Sequence, residues 1–280
     1  MSVITEFIGL ESLLLAALRE DIGTGDITTL SCVPADAQSK GRFVAKQDGV
    51  ICGSFIPQAV YDLMGGDVKV KLRVHDGEKV NKGDVIATLE GNSRQMLTGE
   101  RVALNFFQHM SGIATQTNAA VSRISGTNAK IIDTRKTTPG LRELEKYAVR
   151  TGGGSNHRFG LSDGVLIKDN HIKAAGGITA AVNSARALAP HTLKIEVETE
   201  TFEQTAEALE VKAEIIMLDN MSIEKMAEAV ILINGRALTE ASGNMGERDL
   251  FAVANTGVDF ISIGALTHTV QALDISLKFE

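Results

Sequence analysis

Lys168, Glu198 and Asp219 each stand at the end of a short apolar run: GVLIKDN, LKIEVET and EIIMLDN. Charged groups are costly in a core, so their recurrence at run ends marks a surface with a task. Three more runs end similarly. AKIIDTRK gives Asp133, Arg135 and Lys136; ALTEASGN gives Glu240 and Ser242; DFISIGAL gives Ser262 and Gly264. The LKIEVET run also carries Glu196, and Asp169, Asn170 and His171 follow Lys168. One or two solvated strand ends would be ordinary. Charge at nearly every end calls for a shared site.

These residues divide by sign. Arg135, Lys136, His157, Arg158, Lys168 and His171 form a cationic set. Arginine meets carboxylates through a planar fork, and lysine meets phosphate as a point charge. Glu198 and Asp219 form the anionic set. Among so many cations they suit Mg²⁺ with a phosphate ligand, or ribose hydroxyls; the structural alternative is an ion pair with Lys168 or Arg135. Two glycine-containing turns, SGNMG (Ser242, Gly243, Asn244 and onward) and SIGAL (Ser262 to Leu266, with Gly264), offer backbone N–H groups to a phosphate. The combination fits one polyanionic acid and one sugar phosphate.

The stretch TGGGSNHRFG sets three glycines before Ser155, Asn156, His157 and Arg158. Such a run frees the backbone to turn, and the expectation is that it delivers His157 and Arg158 to an anion. It lacks the Gly-Lys-Ser/Thr ending of a P-loop. From Asp133 to Lys173 there are eight Lys/Arg against five Asp/Glu, a local +3 in a chain of net charge −7. His157 and His171 lie fourteen apart without a cysteine partner, which is not a zinc pattern.

The elements that must hold these residues come in two styles. Leu10, Leu13, Leu14, Ala17 and Leu18 have helical spacing, and EDIGTGDITT ends that helix in a turn. GRFVAKQDGVICG, VKVKLRVHDGEKV and GDVIATLEG then read as strands with Asp-Gly and Gly-Asp turns. A helix from about Arg94 to Met110 leads out of this region. Asp76–Gly91 looks like half of a biotinyl or lipoyl carrier, but Asn92, Ser93 and Arg94 follow where the modifiable lysine would stand. Beyond Ser111, apolar strands alternate with helical pattern. Pro139 after Thr138 suggests a helix start; Thr201 with Gln204 forms a capping box, and Ser222 precedes another helix. Strand–helix alternation of this kind implies parallel strands with their ends at one mouth. The fold class is therefore α/β: an N-terminal α+β sandwich domain over 1–111, joined by a tail at 268–280, followed by an α/β barrel over 112–267.

The net charge does not advertise nucleic-acid binding. Cys32 and Cys52 make no disulfide framework. An acidic start (Glu6, Glu11) without a basic leader is unlike a secretory signal. No apolar stretch approaches the roughly 20 residues that span a bilayer. The expected partners thus exclude nucleic acid and membrane, and the expected location is the cytoplasm.

The motifs EDIGTGDITT, GERVALNFFQHMSGIAT, DTRKTTPGLRELEKYAVRTGGGSNHRFGLSDGVLIKDNH, IEVET, IMLDNMS, EASGNM and DFISIGALTHTVQALDISL resemble those of the quinolinate phosphoribosyltransferase family, essentially end to end. A relative linked to molybdenum transport shares the fold and parts of these motifs and is the second reading. The resemblance implies that quinolinate and phosphoribosyl pyrophosphate, with Mg²⁺, become nicotinate mononucleotide, pyrophosphate and CO₂. It implies an irregular, roughly seven-stranded barrel and a homodimer, or a multiple of one, with shared sites. Arg101 of GERVALN would reach across to the partner's mouth. Arg135, Lys136, His157, Arg158 and Lys168 would surround quinolinate and pyrophosphate. Glu198 and Asp219 would address ribose and metal, directly or through water or substrate. Ser242, Gly243 and Gly264 would lie near the 5′-phosphate, and Asn244 and Ser262 would also bind substrate. Lys136, Lys168, Glu198 and Asp219 carry the catalytic expectation.

Overall fold

A computed structural model describes residues 7–280; Glu6, read above as part of the acidic start, lies outside them. The chain divides into two compact units. The first holds residues up to Asn118 with Pro139–Gly153 and Val270–Glu280; the second holds Ala119–Thr138 and Gly154–Thr269. No helix among the described residues is long and apolar enough to cross a membrane.

In the first unit, helix α1 (Leu10–Ile22) buries Leu10, Leu14 and Leu18, one face at four-residue spacing. The turn that follows contains a short helix the sequence pattern had not suggested, α2 (Ile27–Cys32). Asp26 caps it by accepting the Thr29 N–H at 2.9 Å. Then come β1 (Gln38–Ala45), β2 (Gly49–Val50), α3 (Ile56–Leu63), β3 (Val68–Leu72), β4 (Lys79–Val80) and β5 (Val85–Asn92). β1, β5 and β3 form an antiparallel sheet whose far edge is the C-terminal strand, Ile275–Phe279. Phe43, Ile51, Tyr61, Ile86, Leu89, Leu104, Phe107 and Leu273 fill its core.

Helix α4 (Ser93–Arg123) runs well past the Met110 end suggested by its pattern. Gly112, inside this helix, answers a packing demand. A Cβ there would meet the Gln271 carbonyl and stand 2.9 Å from Ala272 Cα. Helix α5 (Arg142–Thr151) begins three residues after Pro139, not at it. Gly140 has φ +82°, a left-handed conformation that cannot sit inside the first turn of a helix begun at Pro139.

The second unit carries β6 (Lys130–Ile132), β7 (Val165–Ile167), α6 (Asp169–Ala175), α7 (Ile178–Leu188), β8 (Ile195–Thr199), α8 (Phe202–Glu210), β9 (Ile215–Asp219), α9 (Ile223–Ile233), β10 (Leu238–Ser242), α10 (Leu250–Ala254), β11 (Phe260–Ser262) and α11 (Ala265–His268). The last element of the chain, β12 (Ile275–Phe279), is the edge strand of the first unit. The strand order is β6-β11-β10-β9-β8-β7, with every pair parallel. Pairing of the first strand with the last is how a barrel curls. A seventh stave is a single residue: Ser155 bridges Ile132 in parallel beyond β6. The unit is thus an irregular α/β barrel. Thr201 and Gln204 form their reciprocal box (3.3 and 3.2 Å) and Ser222 accepts the Lys225 N–H at 3.3 Å.

A side-chain clasp fixes β10 against β11 at their starts. Asp259 Oδ2 accepts Thr239 N–H and Thr239 Oγ1–H, both at 2.8 Å, and Asp259 N–H donates to Thr239 Oγ1 at 3.0 Å. Asp259→Ala should cost about 1.5–3 kcal/mol, the range for hydrogen bonds to a charged group. Urea unfolding followed by circular dichroism measures this; a loss under about 0.5 kcal/mol, the scale of an ordinary surface substitution, would show the clasp to be slack.

Candidate active site

The strand ends of the second unit open on a polar cavity of about 430 Å³. Lys136, Lys168, Glu198, Asp219, Ser242, Gly243, Asn244, Ser262 and Gly264 all line it. Thr134, Asn220 and His268 line it too; the sequence reading had given none of these three a site role, although Asn220 directly follows Asp219.

Two local features shape this cavity. The first is an ion pair: Lys168 Nζ stands 3.1 Å from Glu198 Oε2, with the lysine half exposed and the glutamate 11 % exposed. Lys168 also donates its backbone N–H to His171 Nδ1 at 2.9 Å, so His171 caps α6. The second is the turn after β10. Asn220 has φ +55°, donates its backbone N–H to Ser242 O at 3.0 Å, and gives its side-chain N–H to Asp219 Oδ2 at 2.6 Å. Gly243 has φ +102°, and a Cβ there would strike the Asn220 side-chain oxygen. Only glycine lets the two turns approach this closely. Lys136 is held from behind, since Thr267 Oγ1 donates to its carbonyl at 2.8 Å.

His157 and Arg158 line a different cavity, of about 380 Å³, reached from the starts of the strands: Val165, Lys194, Ile215 and Phe260 are among its lining. Its ceiling includes Glu196 and Glu240. Asp133, fully buried, accepts the His157 N–H at 2.8 Å and the Asn156 side-chain N–H at 2.5 Å. His157 Nδ1 accepts the Arg158 N–H at 2.7 Å, and Nε2 lies 3.1 Å from Glu196 Oε2 and 3.6 Å from Glu240 Oε2. Arg158 Nη1 donates to Gly164 O at 2.8 Å. Burial, then the neighbouring Arg135, hold the Arg158 guanidinium below its ordinary pKa. Arg135 lines neither cavity and is exposed, and Arg101 is exposed on α4 in the first unit.

The three glycines before Ser155 have local reasons. A Cβ on Gly152 would meet the Ala114 carbonyl and lie 2.7 Å from Thr117 Cβ, and Gly153 has φ +93°. They let α5 close on α4 and turn the chain; pairing with β6 then aims His157. Asp133, Glu196 and Glu240 are neighbours of His157; they stand among the strand-end charges of the sequence but outside the expected site. The signal for Glu196 was available: residues two apart on a strand share a face, and Glu196 is two before Glu198.

The model of the quinolinate phosphoribosyl transferase N-terminal domain matches residues 26–111, and that of the C-terminal domain matches 113–278. A Bacillus subtilis protein described as a probable nicotinate-nucleotide pyrophosphorylase (carboxylating) is 47 % identical over 268 residues, covering 96 % of this chain and 92 % of that protein. A Nicotiana tabacum quinolinate phosphoribosyltransferase (decarboxylating) is 43 % identical over 290 residues, covering 97 % and 82 %. The structure of the Francisella tularensis nicotinate-nucleotide pyrophosphorylase superimposes with a TM-score of 0.93 at 41 % identity, over 96 % of this chain and 95 % of that one.

Proposed function

Because the chain belongs to the quinolinate phosphoribosyltransferase family, we propose that it transfers phosphoribose from phosphoribosyl pyrophosphate to quinolinate with loss of CO₂. The products are nicotinate mononucleotide and pyrophosphate, a step of NAD synthesis. The observation that carries most weight is the company of Lys136, Lys168, Glu198 and Asp219 around one polar cavity beside the Ser242–Asn244 turn.

The chemistry follows from charge. Quinolinate has two adjacent carboxylates, which suit guanidinium forks. The charge of Arg135 burdens the Arg158 guanidinium, and an incoming dianion relieves that repulsion. As pyrophosphate leaves C1 of the ribose, positive charge develops there. Glu198 and Asp219 stabilise it, while Lys136 and Lys168 take up the negative charge of the leaving group. The pyridine nitrogen then bonds to C1. The ring becomes cationic, and that eases departure of the neighbouring carboxylate as CO₂. Ser242, Gly243, Asn244, Ser262 and Gly264 hold the 5′-phosphate, and His157 stands with Arg158. No covalent enzyme intermediate is needed, because no serine or cysteine serves as nucleophile.

The donor set fits Mg²⁺. The cavity offers carboxylates at Glu198 and Asp219, and this ion takes one or two carboxylates with substrate phosphates and retained waters. Glu198 and Asp219 would hold it, directly or through water or substrate. When bound it supplies positive charge beside the pyrophosphate oxygens. We further propose a cytoplasmic homodimer, on the strength of the family resemblance, in which Arg101 serves the partner's mouth.

The proposal is tested by incubating the chain with quinolinate, phosphoribosyl pyrophosphate and Mg²⁺. Nicotinate mononucleotide and CO₂ should appear in equal amounts; pyrophosphate release without CO₂ would oppose it. The shared site predicts complementation. Arg101→Ala and Lys168→Ala should each be inactive. Co-refolded heterodimers carry one site with both defects and one with neither, so they should regain up to about half of wild-type activity. Heterodimers verified by tagged pull-down that remain inactive would exclude a role for Arg101 across subunits.

A further inference from the structure

Asn220 stands in the turn after β9, lines the polar cavity and has φ +55°. Glycine is the ordinary occupant of such a left-handed position, and asparagine is among the few other residues that tolerate it. A side chain kept there at some backbone cost needs a use. Shaping the turn is not that use, because backbone groups already hold it on both sides. The Asn220 N–H donates to Ser242 O at 3.0 Å, and Arg248 Nη1 donates to Met221 O at 2.7 Å.

The amide itself makes one hydrogen bond among the described residues: Nδ2 donates to Asp219 Oδ2 at 2.6 Å. Its Oδ1 lies over Gly243, where a Cβ would strike it and stand 2.7 Å from Asn220 Cγ. The planar amide is thus wedged between the Asp219 carboxylate and the Ser242–Asn244 turn. The strands beneath are in register, with Asp219 opposite Ser242. A carboxylate at a strand end can turn about two side-chain torsions, the second of them broad. Here the amide binds Oδ2, and Oδ1 is the oxygen left for a ligand.

We propose that Asn220 is a positioning residue: its amide, braced against Gly243, holds the Asp219 carboxylate in one orientation, so that Oδ1 meets the charge developing at C1 of the ribose. The role in catalysis rests on the reaction proposed above; the hold of the amide on the carboxylate does not. A carboxylate aimed before the substrate arrives acts on the transition state more than on binding. The two turns stay joined through the backbone without the amide, so the hold on the 5′-phosphate does not depend on it.

The variant Asn220→Gly suits the left-handed backbone, keeps the bond to Ser242 and removes only the amide. Its kcat should fall about tenfold or more, the scale of one hydrogen bond to a charged group. KM for quinolinate and KM for phosphoribosyl pyrophosphate should each stay within about twofold. A residue that merely props the fold would instead raise both KM values and lower the melting temperature. That pattern, or turnover at the wild-type level, overturns the proposal. Crystals of the variant supply an arm that needs no turnover. The Asp219 carboxylate should take a new orientation or more than one; a carboxylate that has not moved overturns the proposal whatever the rate. Should the glycine variant fail to fold, Asn220→Asp, of nearly the same shape but with an oxygen in place of the donor, is read by the same criteria in both arms. A wild-type chain that makes no nicotinate mononucleotide fails the reaction itself, before any variant is compared, and the crystals then judge the amide alone.

Discussion

The ion pair between Lys168 and Glu198 sets the terms for everything around it. Parallel strands bring their C-terminal ends to one face, so each charge there stands close to others in partly desolvated surroundings. Glu198 is 11 % exposed and is balanced by Lys168 at 3.1 Å. Breaking such a pair without replacement would leave a costly charge. An anionic ligand can take Lys168 only if something cationic takes Glu198. Phosphoribosyl pyrophosphate brings both demands together: its pyrophosphate suits the lysine, and the charge growing at C1 suits the carboxylate. On the proposed reaction the resting pair would hold the place of the transition-state charges and favour a substrate that separates charge over one that is merely anionic.

A second balance lies one layer down. Glu196 and Glu198 share a face of β8, two residues apart, yet face different company: Glu198 has a half-exposed lysine, Glu196 an imidazole and a second buried carboxyl. Asp133 ties this layer to the chain by gripping the His157 and Asn156 N–H groups. Arg158 therefore leaves the backbone from a support fixed at several points, which is what geometric recognition of a carboxylate needs.

Much of this was legible from residue order. Strand-end charges, the Thr201 box and the alternation of strand and helix all rest on local rules, and the chain obeys them. The exceptions have their own physical reasons. Pro139 looked like a helix start, but Gly140 adopts a left-handed turn. The helix from about Arg94 looked finished near Met110, but α4 continues to Arg123, and the close approach of residues 271 and 272 requires the glycine at 112 within it. Among the glycines expected to deliver His157 and Arg158 to an anion, Gly152 also answers a contact with α4. The contacts at Gly112 and Gly152 come from residues far away in sequence, where local rules do not reach.

The proposed task of Arg135 and Arg158 is to meet the two adjacent carboxylates of quinolinate, although neither lines the polar cavity at the strand ends. The most direct measurement compares kcat/KM for quinolinate with that for nicotinate, which lacks one carboxylate. Loss of one charge-assisted, desolvated pair is worth about 1.5–3 kcal/mol, so nicotinate should be poorer by roughly ten- to over a hundredfold. Comparable values for the two acids would exclude that role for Arg135 and Arg158.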